Sequence, residues 1–345
     1  MKKFISYAAM AVALCACSNN DVTTPEIIDP QSATLSISTS VSNSIALTRT
    51  TGTGNNPSNA AGTGPVMGTV LATGSEIGVF VYKKGENTDY DGSAANDDHT
   101  NLLWTNNSNR WSFNDNYYLG NSEADIYAYF PYNEANNTQI IPVTPGYTDF
   151  LYGKSSNTVN LETKGANIVL NHALAMVTFT FANTGYTGPA ELQSITLNQL
   201  PKSGTLDITA GNVVNGATKA DLAVSKFQSN IYEEVWTQVF KTAPINGTTV
   251  SGDTATAGMF HAMVLPEPKA SVERHNATIV IDGVSHNISL KVGQRIPNSP
   301  QGTESDWEAG KNYTYNLKLS GNNQLTVDTV TVTQWKEGGS SDIEI

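Results

Sequence analysis

Cysteine is nearly absent from this 345-residue sequence: there are two, Cys15 and Cys17, and nothing after them contains a thiol. That excludes a disulfide framework and a thiolate metal site from the folded body. Charge is scarce too, at 14% of residues, and cations are rarer than anions, 19 Lys plus Arg against 31 Asp plus Glu. A net charge of -12 lacks the basic face needed to bind nucleic acid or to dock electrostatically on anionic lipid, so no nucleic-acid partner is expected. No apolar run reaches the ~20 residues of a permanent membrane-spanning helix. The nucleophile elbow, HExxH, Walker and CxxC motifs are missing, so no catalytic residue and no enzyme activity are expected. The five histidines (His99, His172, His261, His275, His286) show no ligand spacing, and neither a metal nor another cofactor is expected.

What is present begins with an export pattern. Met1-Lys2-Lys3 is a short basic region, and Phe4 to Ala16 is a stretch of small and aliphatic residues. It ends in Leu14-Cys15-Ala16-Cys17, which resembles the bacterial lipobox with Cys17 as the lipidated residue; Cys15 stands where a small non-thiol residue is usual. The competing reading is an ordinary secretory signal with incidental cysteines. Residues 1–17 are therefore expected to be a lipoprotein signal, with residues 18–30 a polar tether containing two prolines. Two acyl chains on Cys17 would hold the chain on a membrane without a transmembrane helix. Without Lys2 and Lys3 the exported form carries 17 basic and 31 acidic side chains, a charge of -14.

The most informative segment follows. From Ala33 the odd positions read Ala33, Leu35, Ile37, Thr39, Val41, Asn43, Ile45 and Leu47, while the even positions are almost all Ser or Thr. Period-two alternation over about fifteen residues predicts a long strand with one apolar face, against the usual ~5–6 residues. A common half-buried edge strand fits the same pattern. Arg49, one of only four arginines, comes next, and Thr50 to Pro65 is rich in Gly, Asn, Ser and Pro. Such a stretch reads as an exposed loop open to proteases. Arg49 fits a solvated strand-end charge and a processing site equally well. A cut there would leave the strand held only by non-covalent contacts, with Leu35, Ile37, Val41, Ile45 and Leu47 contributing on the order of 10 kcal/mol as an upper estimate. Its loss would open an apolar groove flanked by unpaired backbone, which favours another strand.

The body reads as all-β in two parts. Apolar or alternating runs such as Ile77 to Tyr82, Ile126 to Phe130, Ile168 to Phe181 and Tyr313 to Leu319 recur between clusters of Gly, Asn, Asp, Ser and Pro, a β-sandwich signal. At ~150 residues per domain the length suggests two, with a boundary expected near residue 182, before Asn183-Thr184-Gly185. Lys219 to Phe240 is the sole helix candidate and also fits alternation. At the C-terminal end the apolar phase runs Leu325, Val327 and then Val330, Val332, so a bulge or kink between two short strand pieces is expected near Asp328. This segment is a candidate donor for the groove; a terminal strand completing its own domain is the alternative.

These stretches together resemble the fimbrillin family, the pilins of type V pili. The matching runs are the lipobox at Cys17, the strand ending in Thr48-Arg49, Gly74 to Tyr82, Ile126 to Tyr132, Asp149 to Gly153, His172 to Val177, Gly185 to Gly188 through Gly204 to Ile208, and Thr333-Gln334-Trp335. The resemblance implies two tandem transthyretin-like β-sandwich domains, residues 50–182 and 183–345, the first completed by strand 33–48 in the precursor. It implies a lipoprotein precursor on the cell outer membrane, cut between Arg49 and Thr50 by an Arg-specific surface protease, releasing residues 18–49 with the lipid. It implies polymerisation with other pilin subunits by strand exchange into a cell-surface fimbrium that supports adhesion, with a C-terminal donor strand, here Leu325, Val327, Val330 and Val332. A permanent anchor subunit should lack a usable arginine, so Arg49 points to a stalk or tip.

Other signals are weaker. Asp89-Tyr90-Asp91-Gly92 is similar to the start of a calcium loop but has no glutamate at its twelfth position. Asp253-Thr254-Ala255 and Asp328-Thr329-Val330 fit a bacterial O-glycosylation acceptor. Aromatics concentrate between Trp104 and Tyr152; core packing accounts for most, but an exposed subset would favour the rival reading, a lipid-anchored surface glycan-binding protein.

Overall fold

The computed structural model describes residues 34–42, 70–90, 101–108, 110–226, 260–267, 275–290 and 307–334. Among them every regular element is a β-strand. The first part of the chain carries β1 (Ser36–Val41), β2 (Glu76–Lys83), β3 (Leu102–Asn107), β4 (Arg110–Phe113), β5 (Ala124–Phe130), β6 (Ile140–Val143), β7 (Leu151–Lys154) and β8 (Gly165–His172). The second carries β9 (Ala175–Thr184), β10 (Leu192–Pro201), β11 (Gly204–Asp207), β12 (Asn212–Asn215), β13 (Lys219–Ala223), β14 (Ser225–Lys226), β15 (Phe260–Val264), β16 (His275–Ile281), β17 (Val284–Leu290), β18 (Lys311–Ser320) and β19 (Leu325–Gln334).

One seven-stranded sheet runs β1-β8-β7-β5-β2-β3-β4. Its edge strands β1 and β4 approach each other, so the sheet curls around a core that includes Leu35, Ile37, Val79, Trp104 and Ile168. Two further sheets, β13-β10-β16-β17 and β14-β15-β9-β18-β19, contribute to a second core containing Ile195, Phe260, Ile279, Trp307 and Tyr315.

A third core lies between these two, and it explains why several strands are apolar without alternation. On β2, Ile77, Val79 and Val81 serve the first core while Phe80 and Tyr82 serve the third. On β5, Ile126 and Ala128 divide from Tyr127 and Tyr129 in the same way. From the other side, β9 sends Val177 and Phe179 to the second core and Met176 to the third, and β15 sends Ala262 and Val264 one way and Met263 the other. A strand covered on both faces loses the polar half of its pattern. A small sheet, β12-β11-β6, adds Ile141, Val143 and Leu206 to this third core; it pairs β6 from the first part with β11 from the second. Gly146 and Met263 exchange backbone hydrogen bonds of 2.7 and 2.8 Å alongside it.

In β18–β19 the partners are Asn316↔Thr329 and then Leu317↔Val327, so Asp328 is the extra residue of a bulge. The bulge lies within a single strand and does not split it. The helix candidate begins instead as β13, with an exposed–intermediate alternation, followed by β14; the rest of it, residues 227–240, lies outside the described residues. Residue 182 falls inside β9, which pairs along its length with β18.

Candidate functional site, the β1 slot

β1 occupies the edge of the first sheet and pairs on one side only, in parallel with β8, from Ser36↔Gly165 to Val41↔Leu170. The alternation read from the sequence sets its two faces. Leu35, Ile37 and Val41 are buried, at 2%, 8% and 5% exposure, and Thr39 between them is half-buried. Ser36, Ser38 and Ser40 point outward. The inner face completes the first core against Ala166, Ile168 and Leu170 of β8. Burying three aliphatic side chains is worth about 5–9 kcal/mol as an upper estimate.

The polar contacts of β1 are few and neutral. Leu35 N donates to Tyr117 O at 2.8 Å, Ser36 N to Lys164 O at 3.0 Å, and Ser42 N to Leu170 O at 2.8 Å. Outside, the Ser38 hydroxyl donates to Asn167 Oδ1 at 2.6 Å and the Ser42 hydroxyl to Asn171 Oδ1 at 2.7 Å. Across the slot, Trp111 Nε1 on β4 donates to Thr39 Oγ1 at 2.9 Å. That contact brings the two sheet edges together, and the sequence marks it only through Thr39, the polar residue in an apolar row. Leu35, Ile37 and Val41 therefore lie together in one slot. Cys17, Arg49, Thr50, Ile45 and Leu47 lie outside the described residues.

β19 forms the edge of the second large sheet. Leu325 and Val330 are buried there, at 5% and 8%, and Val327 and Val332 pack partly against the same core. All four expected donor residues thus face their own domain. At the bulge Lys318 Nζ pairs with Asp328 Oδ1 at 2.7 Å, and Asn316 Nδ2 donates to the exposed Thr329 hydroxyl at 2.8 Å.

A few titratable groups elsewhere are buried in packing. His172, buried, sits with Nδ1 2.9 Å from Asp149 Oδ2, also buried. His261 stacks on Tyr147, and burial pushes its pKa down to about 3. Desolvation raises the Tyr82 phenol to about 12. Among the described residues no group of three or more His, Cys, Asp or Glu side chains is placed to hold an ion. Of the aromatics between Trp104 and Tyr152, Trp104, Tyr117, Tyr127, Tyr129 and Phe130 are buried, and Tyr147 is the large exposed one at 39%.

Two solved structures of proposed cell adhesion proteins share this fold. A proposed cell adhesion protein from Bacteroides uniformis is 15% identical, with 77% of this chain and 93% of that one covered at a TM-score of 0.53. A second proposed cell adhesion protein, from Bacteroides ovatus, is 16% identical, with 89% and 100% covered at a TM-score of 0.53. A fimbrial protein from Bacteroides vulgatus is 13% identical over 75% and 93% of the two chains, with a TM-score of 0.42. No curated protein matches the sequence. The family model described as fimbrillin-like matches residues 48–335, most of the sequence, and the chain belongs to the fimbrillin-like family.

Proposed function

We propose that this chain is a structural pilus subunit, stalk or tip, that reaches the cell surface as a lipoprotein precursor anchored through Cys17 in the outer membrane. An Arg-specific protease cuts between Arg49 and Thr50, β1 leaves with the lipid, and a strand from a sister subunit fills the slot, building a fimbrium that serves adhesion. The chain acts by assembly rather than by catalysis. On this reading the part expected from the sequence as residues 50–182 is completed by β1 and that expected as 183–345 ends in the donor strand, with the passage between them at Ala173-Leu174, ahead of β9. The observation that carries the reading is the placement of β1. It seals the first core with Leu35, Ile37 and Val41, yet it hangs from one ladder at a sheet edge. Removing it exposes the β8 backbone edge beside an apolar row, the geometry that captures a strand. The family match supports this, and it begins at residue 48, after β1.

The test is to treat purified precursor with an Arg-specific protease and follow size. Cleaved wild type should shorten and form ladders of multimers, while Arg49→Ala should stay monomeric and keep its lipid. An Arg49→Ala chain that assembles as well as wild type would refute cleavage as the trigger. A cleaved chain that stays monomeric but binds polysaccharide would favour the glycan-binding alternative.

A further inference from the structure

Resting on the proposed replacement of β1 by the C-terminal strand of a second copy of this chain, we propose that the Trp111 indole selects and registers that strand at residues 325–331, taking the Thr329 hydroxyl where β1 offers Thr39. The inward row of β1 is Leu35, Ile37, Thr39 and Val41, and Thr39 is its one polar member. Its hydroxyl accepts the Trp111 Nε1–H at 2.9 Å. When β1 departs, water can reach that donor, but an incoming strand that covered it with an aliphatic side chain would leave a half-buried N–H without an acceptor, which is costly. An incoming strand therefore needs aliphatic side chains at the first two inward positions and a hydroxyl at the third.

Leu325-Thr326-Val327-Asp328-Thr329-Val330-Thr331 meets that demand. Laid on Leu35 to Val41, it puts leucine on leucine, Val327 on Ile37 and Thr329 on Thr39. Thr331 keeps the β-branched shape of Val41 with a hydroxyl in place of one methyl. At home the Asp328 bulge turns Thr329 outward and Val330 inward. Run straight, without the bulge, the same segment turns Thr329 inward and Val330 outward. The strand thus carries one face for β18 and another for β8.

The outer face supplies an independent observation. β1 sets Ser40 opposite Val169 of β8, and Val169 remains 44% exposed. The proposed register replaces Ser40 by Val330, a β-branched neighbour across the pair, where such contacts stabilise a sheet. Asp328 takes the place of Ser38 beside the Asn167 side chain.

The experiment uses the full chain, cleaved with an Arg-specific protease, with multimer formation followed by size-exclusion chromatography. Thr329→Val should slow multimer formation roughly tenfold, the cost of stranding the indole donor. In a Trp111→Phe background, which removes the N–H and keeps an aromatic filler, Thr329→Val should have almost no effect. Uncleaved Thr329→Val should melt close to wild type, because at home its hydroxyl is exposed and water can take over its one bond, from Asn316 Nδ2. Register is read separately by cysteine pairs, since the sequence after Cys17 contains no cysteine. Asn167→Cys with Asp328→Cys should cross-link neighbouring subunits, whereas Asn167→Cys with Thr326→Cys should not. If wild type assembles but Thr329→Val assembles equally well, or if the shifted pair cross-links instead, the proposal is overturned while strand exchange stands. If cleaved wild type does not assemble at all, both fall.

Discussion

The grip of β1 on the first core sets how a severed precursor behaves, and Leu35→Ala measures it. Leu35 is 2% exposed and touches the same core as Ile37, Val41 and Leu170. Truncating a buried leucine to alanine costs about 2–5 kcal/mol, the transfer loss plus the cavity left behind. Its backbone bond to Tyr117 O survives the substitution. In the intact precursor the loss should appear as a lower midpoint of denaturant unfolding at unchanged slope. After cleavage the strand is no longer tethered, and even 2 kcal/mol weakens its retention by roughly 30-fold. Mass spectrometry of the released fragment over time, with multimer appearance alongside, reads this directly. Leu35→Ala should shed its strand faster and assemble sooner than wild type. Ser38→Ala, on the exposed face, should stay within about 0.5 kcal/mol of wild type. If Leu35→Ala unfolds at the wild-type midpoint, or the cut mutant keeps its strand as long as wild type does, β1 does not hold the first core and the reasoning from slot to assembly collapses.

Other positions give sharp outcomes. Gly78 on β2 lies under the Tyr129 ring, where an added Cβ would collide with the aromatic edge; Gly78→Ala should lower the melting temperature by several degrees, an overpacking cost of about 1–3 kcal/mol. Asp282 accepts from Tyr186 Oη at 2.8 Å, Ala190 N at 2.9 Å and Glu191 N at 2.8 Å, so Asp282→Ala should destabilise by about 2–3 kcal/mol in chemical unfolding, while Tyr186→Phe, which removes one of the three bonds, should cost only the smaller part of that. His261 has its pKa depressed from 6.5 to about 3 by burial. The unfolded chain therefore binds the proton first, and its stability contribution is complete above pH 6.5 and lost as pH falls toward 3, at a slope of no more than about 1.4 kcal/mol per pH unit. His261→Gln should flatten that limb of the stability–pH curve, measured by denaturant unfolding at several pH values.

Much of the architecture was legible because its cause is local. The serine face of β1 and the aliphatic face opposite it follow from period-two side-chain geometry, and the Asp328 bulge follows from the change of phase between Val327 and Val330. The runs around Phe80 and Tyr129 read as strands, but their double burial did not, because it depends on which layers cover them. Turn residues at Asn183-Thr184-Gly185 draw attention to the end of β9. The passage from β8 to β9 occurs at Ala173-Leu174, both buried and without Gly or Pro to mark it. Lys219 to Ala223 has aliphatic spacing that suits a helix as well as a strand, and its pairing with β10 decides the outcome. The Trp111–Thr39 contact joins residues 72 apart in sequence, and no short-range pattern encodes it.

Only two residues separate β8 from β9, and each of those strands pairs in parallel with another, β1 and β18. Whatever lies against β8 is thus two residues of chain away from β9, the strand that carries β18 and, through it, β19. In a fibre assembled through this slot, a pull on one subunit would run along the strands, loading each ladder of hydrogen bonds in shear and sharing the tension among its rungs. Such a fibre would hold like a splice in a rope, with its holding surface laid parallel to the load.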